Sequence, residues 1–503
     1  MKRRHFVQNT ALGATGIGLA LPAFSKTVQQ TSAQEMMVGI QMGAHSFYDE
    51  GMEYVLDFLK KEAEINTLMF YSHTYYGAES RPLRVMAHDH GVNPRDFENS
   101  NLTRVWVKHH DEYFKDTVLR HKKPDSTFEY YDKDIFKEIQ KPAKDRGMGI
   151  FIRLLEASAS HGLRYIENYD QVLTVDLDGN PGFGPCWNNP DYRNWVYATV
   201  EDIFHHYEID GIQYGAERTG PLSRLLFRGT KPTCFCQFCQ DRNKTKGMDP
   251  ERAQIGYNRL FSFIQKVESG ENDSSDTVLT NIFRYLQEFP EILAWNYQWF
   301  RADEEIQKEL YQRIKKQKPA AVVGRHIDHQ RSSWDLFYRS AVNYGEMAAY
   351  ADFIKPILYH DINGPRLRWW VIEEMQKRWL HDMDREQALE FFYNSLGYSP
   401  ESKVSLNELE KEGMGPQYVY TEMKRCVEQV QGKAQAIAGI GIDVPWHAPG
   451  GMQPYPSDPE RLQKAIYKAF EAGADGILAS RDYDEMRLSS LKAFGEAIRA
   501  IKS

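Results

Sequence analysis

The stretch Ile209-Asp210-Gly211-Ile212-Gln213-Tyr214-Gly215-Ala216-Glu217-Arg218 decides how the chain reads. A short apolar run follows Asp-Gly and stops abruptly at a carboxylate. Parallel barrels keep their chemistry where a strand runs out. Working outward, apolar runs of strand length recur at 36–41, 67–71, 149–155, 211–214, 320–324, 353–359, 437–442 and 476–479. They carry Ile, Val, Leu and Phe on both faces, as strands covered on both sides do. Helical pattern separates them, at 53–64, 192–206, 304–315, 385–396, 420–431, 459–471 and 487–502. Eight such alternations predict a (β/α)8 TIM barrel over residues 36–503. Long βα-loop insertions are expected after strands two, four and six, at 75–146, 218–319 and 361–436, where they would wall the mouth.

Four of the five cysteines flank this stretch. Cys234, Cys236 and Cys239 form a C-x-C-x-x-C loop whose thiols can converge on one cation, and Cys186 is the candidate fourth ligand. Together they predict one closed structural zinc site near 186 and 234–239. A disulfide within the cluster is the alternative in an oxidising compartment. Cys426 reads as a small apolar residue buried on a helix.

The order Cys186-Trp187-Asn188-Asn189-Pro190-Asp191-Tyr192-Arg193, then Gly211-Ile212-Gln213 running to Glu217, then Cys234-Phe235-Cys236 and Cys239-Gln240 resembles the core of glycoside hydrolase family 42. That is the zinc-containing β-galactosidase family, a clan of TIM barrels. The resemblance covers residues 186–240 and implies that Cys186, Cys234, Cys236 and Cys239 hold zinc. It also implies that Glu217 is the acid/base of a glycosidase. The family has Asn before that glutamate, to bond the sugar 2-hydroxyl; here the position is Ala216. Glycoside hydrolysis takes two carboxyls, and in barrels of this type the second sits on strand seven. The best candidate is Asp443, one methylene shorter than the family's Glu, which would favour inversion through a water.

The remaining strand ends are rich in polar residues. Candidate substrate contacts are His45, His73, Glu156, Tyr214, Arg218, His326, Asp328, His360, Asp361, Trp446, Arg481 and Asp482. For each singly, a hydrogen-bonded residue without a role in the reaction is the plainer reading. His326-Ile327-Asp328-His329 and His360-Asp361 also admit a metal-dependent hydrolase. A barrel that binds carbohydrate without cleaving it is a further alternative. His88-Asp89-His90 and His109-His110 read as solvated loop residues or sugar-hydroxyl contacts.

Residues 1–25 carry Lys2-Arg3-Arg4-His5-Phe6-Val7 and a modest apolar run to Phe24, the marks of a twin-arginine export signal. The run is too short and glycine-rich to anchor in a bilayer. Residues 26–35 read as a linker, and the mature chain is expected in the periplasm or outside the cell. The twin-arginine route moves folded proteins, so a zinc site loaded in the cytosol is compatible with export. A net charge of −8 argues against nucleic acid as a partner and leaves carbohydrate as the expected one. The 13% aromatic content suits sugar stacking as well as core filling. Nothing in the sequence signals an oligomeric state.

Overall fold

Eight parallel strands close into a barrel, each pairing with its sequence neighbours and the last with the first. They are β1 Val38–Met42, β2 Thr67–Tyr71, β3 Gly149–Leu155, β4 Gly211–Gly215, β5 Val322–Ile327, β6 Phe353–Leu358, β7 Gln435–Gly441 and β8 Gly476–Asp482. The helices that cover them are α1 Met52–Lys61, α2 Ile135–Lys144, α3 Pro190–His206, α4 Glu291–Gln317, α5 Leu336–Ala341, α6 Gly415–Val430, α7 Pro459–Glu471 and α8 Leu488–Lys502. The computed structural model describes residues 35–75, 89–92, 101–448, 451–453 and 455–503. Residues 37–503 form one compact unit. The expected export signal, residues 26–34 of the expected linker and His88 lie outside the described residues. Among the described residues no helix is long and apolar enough to cross a membrane.

Local chemistry explains several boundaries. Helix α3 starts where Asn189 accepts a bond from the Asp191 amide at 2.9 Å and Pro190 occupies the first turn. Helix α7 starts on Asp458, which accepts from Arg461 N at 2.9 Å. Strand β5 runs to Ile327 rather than ending at Gly324 as expected. Arg325 interrupts the apolar pattern, but it points outward onto α4, where Asp303 and Glu304 meet its guanidinium at 2.5 and 2.8 Å with all three buried. An ion pair thus replaces the apolar contact that the pattern leads one to expect there.

The insertions after β2, β4 and β6 are present, and the connection from β3 to α3 is long as well. It holds an antiparallel pair, Leu173–Val175 with Pro181–Pro185, that delivers Cys186. The insertion after β4 also carries the helices Pro250–Ser269 and Val278–Glu288, joined by an exposed acidic link.

Inside the barrel the filling changes with height. The lower layer is apolar: Met69, Phe151, Phe353, Ile437 and Leu478 pack together, joined by Met37 and Val322. Glycines make room for it, and a Cβ on Gly324 would lie 1.9 Å from Phe353 Cζ. Above it lies a polar layer built on Gln41, Arg153, Gln213, His326, Lys355 and Ser480, each at most 3% exposed.

Candidate active site

Glu217 stands two residues past the end of β4, at the strand end where TIM-barrel enzymes place their catalytic groups. Its side chain is 44% exposed, and Oε1 lies 2.9 Å from His326 Nε2 and 3.6 Å from Arg153 NH2. Burial works against ionisation, but the His326 bond and the Arg153 charge outweigh it and hold the carboxyl well below its usual range. Burial, with Arg153 and Lys355 close by, keeps the His326 imidazole neutral. A neutral ring facing a carboxylate must carry its proton on Nε2, so His326 donates to Glu217.

Behind His326 the polar layer is wired through Lys355. Its Nζ lies 3.4 Å from His326 Nδ1, donates to Ser480 Oγ at 2.6 Å and to Gln41 Oε1 at 3.3 Å. Gln41 Nε2 in turn donates to Gln213 at 3.2 Å, and Tyr359 OH meets Ser480 Oγ at 3.1 Å. Burial pushes the lysine well below its usual range. Tyr71 and Tyr359 both feel the charges of Glu217 and Arg481, which places their hydroxyls close to this mouth.

On the β3 side, Glu156 Oε1 accepts from Arg218 NH2 at 2.5 Å and from Trp187 Nε1 at 3.2 Å. Burial, reinforced by Asp303 and opposed by Arg218, pushes this carboxyl up to about 7. Arg218 lies over the Trp187 ring at 4.2 Å, and Trp187 stacks on Trp299 at 4.4 Å. The residue after Glu217 is therefore clamped beside the residue after Cys186.

Cys186, Cys234, Cys236 and Cys239 converge, with their sulfurs all within 4.8 Å of one another and none in a disulfide. Cys186 Sγ lies 3.5 Å from both Cys236 Sγ and Cys239 Sγ. Backbone N–H groups of Val175 and Cys236 point at Cys234, that of Asn188 at Cys186, and the Asn188 amide at Cys239. N–H donors facing the sulfurs suit the thiolate form that a metal ligand takes. The donor set fits a closed tetrahedral zinc centre.

Several expected contacts point elsewhere. Asp443, expected as the second catalytic carboxyl, is fully buried and serves as a brace. Its Oδ1 accepts from Ser457 N and the Arg487 guanidinium, and its Oδ2 from Arg487 N at 2.7 Å. Asp361 belongs to the same brace, accepting from Ser457 Oγ at 2.7 Å. Tyr214 points outward against Arg325 instead of into the mouth. His73 turns away from the mouth toward His109, His45 pairs with Asp484 at 3.0 Å, and Arg481 with Glu485 at 2.6 Å. Trp446 packs on the cluster of Ile357, Tyr359, Ile362 and Val444.

Asp328 is buried against His329 at 2.9 Å. His360 is buried, and among the described residues neither of its ring nitrogens has a hydrogen-bond partner; Asp482 lies near Tyr71. Neither His90 nor His109-His110 is a solvated loop group. His90 is buried between Glu50 and the Met486 carbonyl, at 2.9 and 2.7 Å, and His109 and His110 both bind Asp202.

Arg153, Lys355, Gln213, Ser480 and Trp187 escape a reading confined to strand ends. The signal for the first four is a polar residue at an inward position of an otherwise apolar strand.

No protein-family profile matches the chain, and no curated protein matches it. Among solved structures, a β-galactosidase from the Antarctic haloarchaeon Halorubrum lacusprofundi matches with a TM-score of 0.51 at 11% identity, over 92% of this chain and 57% of that one. A β-galactosidase from the psychrophile Marinomonas ef1 matches with a TM-score of 0.49 at 9% identity, over 93% and 60%. An α-L-fucosidase from Paenibacillus thiaminolyticus matches with a TM-score of 0.45 at 12% identity, over 93% and 49%. The chain thus spans between about half and three fifths of these three solved chains. At these identities the haloarchaeal likeness concerns the fold alone, a (β/α)8 barrel.

Proposed function

We propose that this protein is an exported glycoside hydrolase acting on oligo- or polysaccharides at the mouth formed by the ends of β3, β4, β5 and β6. The observation that carries the reading is Glu217, ionised and oriented by His326 and Arg153 on an open rim. Such a carboxylate suits the oxocarbenium-like charge that develops when a glycosidic bond breaks. Glu156, on the adjoining strand, is the carboxyl that burial keeps partly protonated near neutral pH, and it suits proton delivery to the leaving oxygen. This pairing departs from the expectation that Glu217 is the acid and Asp443 its partner. Tyr71 and Tyr359 offer rings and hydroxyls for the sugar. The haloarchaeal barrel it resembles in fold is a β-galactosidase, which is in keeping with this reading.

Zinc, held by the four cysteines, supplies structural cross-linking and no chemistry. Export rests on the Arg3-Arg4 signal and is tested by locating the mature N-terminus after Ser25 in periplasmic material.

Activity is tested on a panel of aryl glycosides and plant and microbial oligosaccharides. Glu217→Gln should cut turnover by orders of magnitude on every substrate. Glu156→Gln should cut it on natural oligosaccharides and far less on aryl glycosides whose leaving group needs no proton. Unchanged rates in the Glu217 variant refute the assignment.

The brace role of Asp443 favours one second reading, a barrel that binds carbohydrate without cleaving it. Glycan binding with no product from any bound sugar would select it. Among the described residues, the clusters able to share a metal ion are the cysteines and two histidine groups around Asp202 and His73, so the metal-hydrolase alternative has no ligand cluster at Glu217.

A further inference from the structure

Away from the mouth, helix α3 meets the insertion that follows β2 in a group of histidines gathered around one carboxylate. Asp202 is fully buried. Its Oδ1 lies 2.8 Å from His110 Nδ1 and 2.9 Å from His206 Nδ1, and its Oδ2 accepts from His109 Nδ1 at 2.9 Å and from His110 N at 3.0 Å. His206 Nδ1 also stands 3.0 Å from the Asp202 carbonyl one helical turn back. The rings of His110 and His206 lie face to face with centroids 3.6 Å apart and planes 16° from parallel.

Three features of this arrangement exceed what packing requires. First, every ion-pair partner of Asp202 among the described residues is an imidazole. A carboxylate withdrawn from water and met only by groups that can be neutral lacks the cation that ordinarily accompanies a buried charge. Second, the two oxygens divide their work. Oδ2 is pinned by His109 and the His110 amide, which aims Oδ1 at the two remaining imidazoles, the orienting role that outer ligands play around metals. His109 is itself fixed from behind by His73, whose Nε2 stands 2.7 Å from His109 Nε2. Third, Asp202 and His206 are four residues apart on one helix face, the spacing by which helices present paired ligands, and His110 closes the third side from the insertion.

The His110, Asp202 and His206 donor atoms all lie within 4.8 Å of one another. Donors on one tetrahedral ion at ~2.1 Å stand roughly 3.4 Å apart, so opening each carboxylate-to-imidazole distance by about half an ångström seats an ion between them. The side chains of His110 and His206 are 36% and 30% exposed, which gives an ion access and leaves positions for water.

We propose that His110, Asp202 and His206 bind a divalent transition-metal ion that favours imidazole with carboxylate, such as zinc, nickel or cobalt. The ion clasps the insertion after β2 to helix α3. It is separate from the four-cysteine centre, which lies on the other connections.

The test uses the full chain carrying zinc at its thiol centre, titrated calorimetrically with Ni2+. One further equivalent should bind, without the charge-transfer absorption that nickel thiolates give, and the melting temperature should rise as the site fills. In the Cu2+-loaded protein, electron paramagnetic resonance should report two imidazole nitrogens. His206→Ala and His110→Ala change partly exposed side chains and should leave the fold intact by circular dichroism while weakening nickel binding at least ten-fold; the double variant should lose the equivalent. A wild-type chain that takes up no nickel beyond its thiol centre overturns the proposal, as does a double variant that binds as the parent does. An intact double variant with no nickel-dependent rise in melting temperature supports it.

Discussion

Replacing His326 by Leu removes the 2.9 Å donor to Glu217 Oε1, while Arg153 stays at 3.6 Å and His329 continues to act from farther off. A hydrogen bond to a charged group contributes ~1.5–3 kcal/mol, and one pKa unit corresponds to about 1.36 kcal/mol. Taken whole, the loss would raise the Glu217 pKa by roughly one to two units. The Glu217 side chain is 44% exposed, so water recovers part of it and about one unit is expected. Lys355 keeps its bonds to Ser480 and Gln41, so the interior remains wired.

The sign follows from the role assigned to Glu217. In the wild type the carboxyl is held low, so activity that needs it ionised persists well into the acid range. In the variant the acid limb of kcat/KM moves up in pH by about one unit, and kcat/KM at its optimum falls roughly ten-fold. His326→Gln, which can still place an N–H near Oε1, should recover most of both. The assay is the pH–rate profile from pH 3 to 9 on whichever aryl glycoside the wild type turns over. A parallel 13C titration of glutamate-labelled protein reads the carboxyl directly. An acid limb that stays in place in the Leu variant, with Gln and Leu behaving alike, refutes the reasoning.

Three further outcomes follow from the fold. Asp303→Asn takes from buried Arg331 its 2.8 Å carboxylate partner and leaves Arg325 paired with Glu304, and should cost ~3–5 kcal/mol in urea unfolding. Because Arg325 and Arg331 overcome burial and depress the Asp303 pKa, its stabilisation is complete above the unfolded value of ~3.9 and fades as pH falls through the lower folded value. The variant's deficit should therefore shrink only at strongly acid pH. Gly324→Ala drives a methyl to 1.9 Å from Phe353 Cζ and should cost ~1–3 kcal/mol or more; the exposed Gly179→Ala, with no neighbour within 4 Å, serves as a surface comparison that pays only for its positive φ. Strong chelation under reducing conditions, or Cys234→Ser, should lower the melting temperature, with activity lost in step with structure; activity that disappears while the melt is unchanged would make the bound ion catalytic.

The barrel was legible because each of its eight strands is buried on both faces, so apolar runs mark all of them. β2 and β3 match their expected limits at both ends. β5 shifted because its outward Arg325 is neutralised by acids on α4, a partner more than twenty residues away that a local pattern cannot register. The same limit governs the site. Glu217 stands at a strand end and is visible from its position alone. Asp443 has the same position in sequence, yet a turn with φ of 49° and the distant Arg487 and Ser457 take up its oxygens. Lys355 and Arg153 are not legible from strand-end position, and charged residues within strands are rarely placed inside a barrel. Here Gly439 clears the volume that Lys355 fills, since a Cβ there would lie 2.2 Å from Lys355 Cε, and Gly215 does the same for His326, whose Cβ would lie 2.9 Å from one.

The cysteine centre and the carboxylate, two separate motifs in sequence, are joined in space by a short mechanical path. Cys186 fixes the start of the segment that carries Trp187; the indole packs on Trp299, donates to Glu156 and supports the Arg218 guanidinium. Arg218 adjoins Glu217 in the chain, so the backbone that aims the Glu217 carboxylate is held from the sulfur cluster through one aromatic plane and one ion pair. Loosening the cluster would let Arg218 swing, release Glu156 to solvent and lower its proton affinity before the barrel itself unfolds. The charge asymmetry between an ionised Glu217 and a partly protonated Glu156 is therefore a property of the loop geometry as much as of the strands. Trp187→Ala, which leaves all four sulfurs in place, isolates that link: Glu156 should become the more acidic, and the upper limb of the pH–rate profile should fall to lower pH while the melting temperature drop seen on chelation is absent.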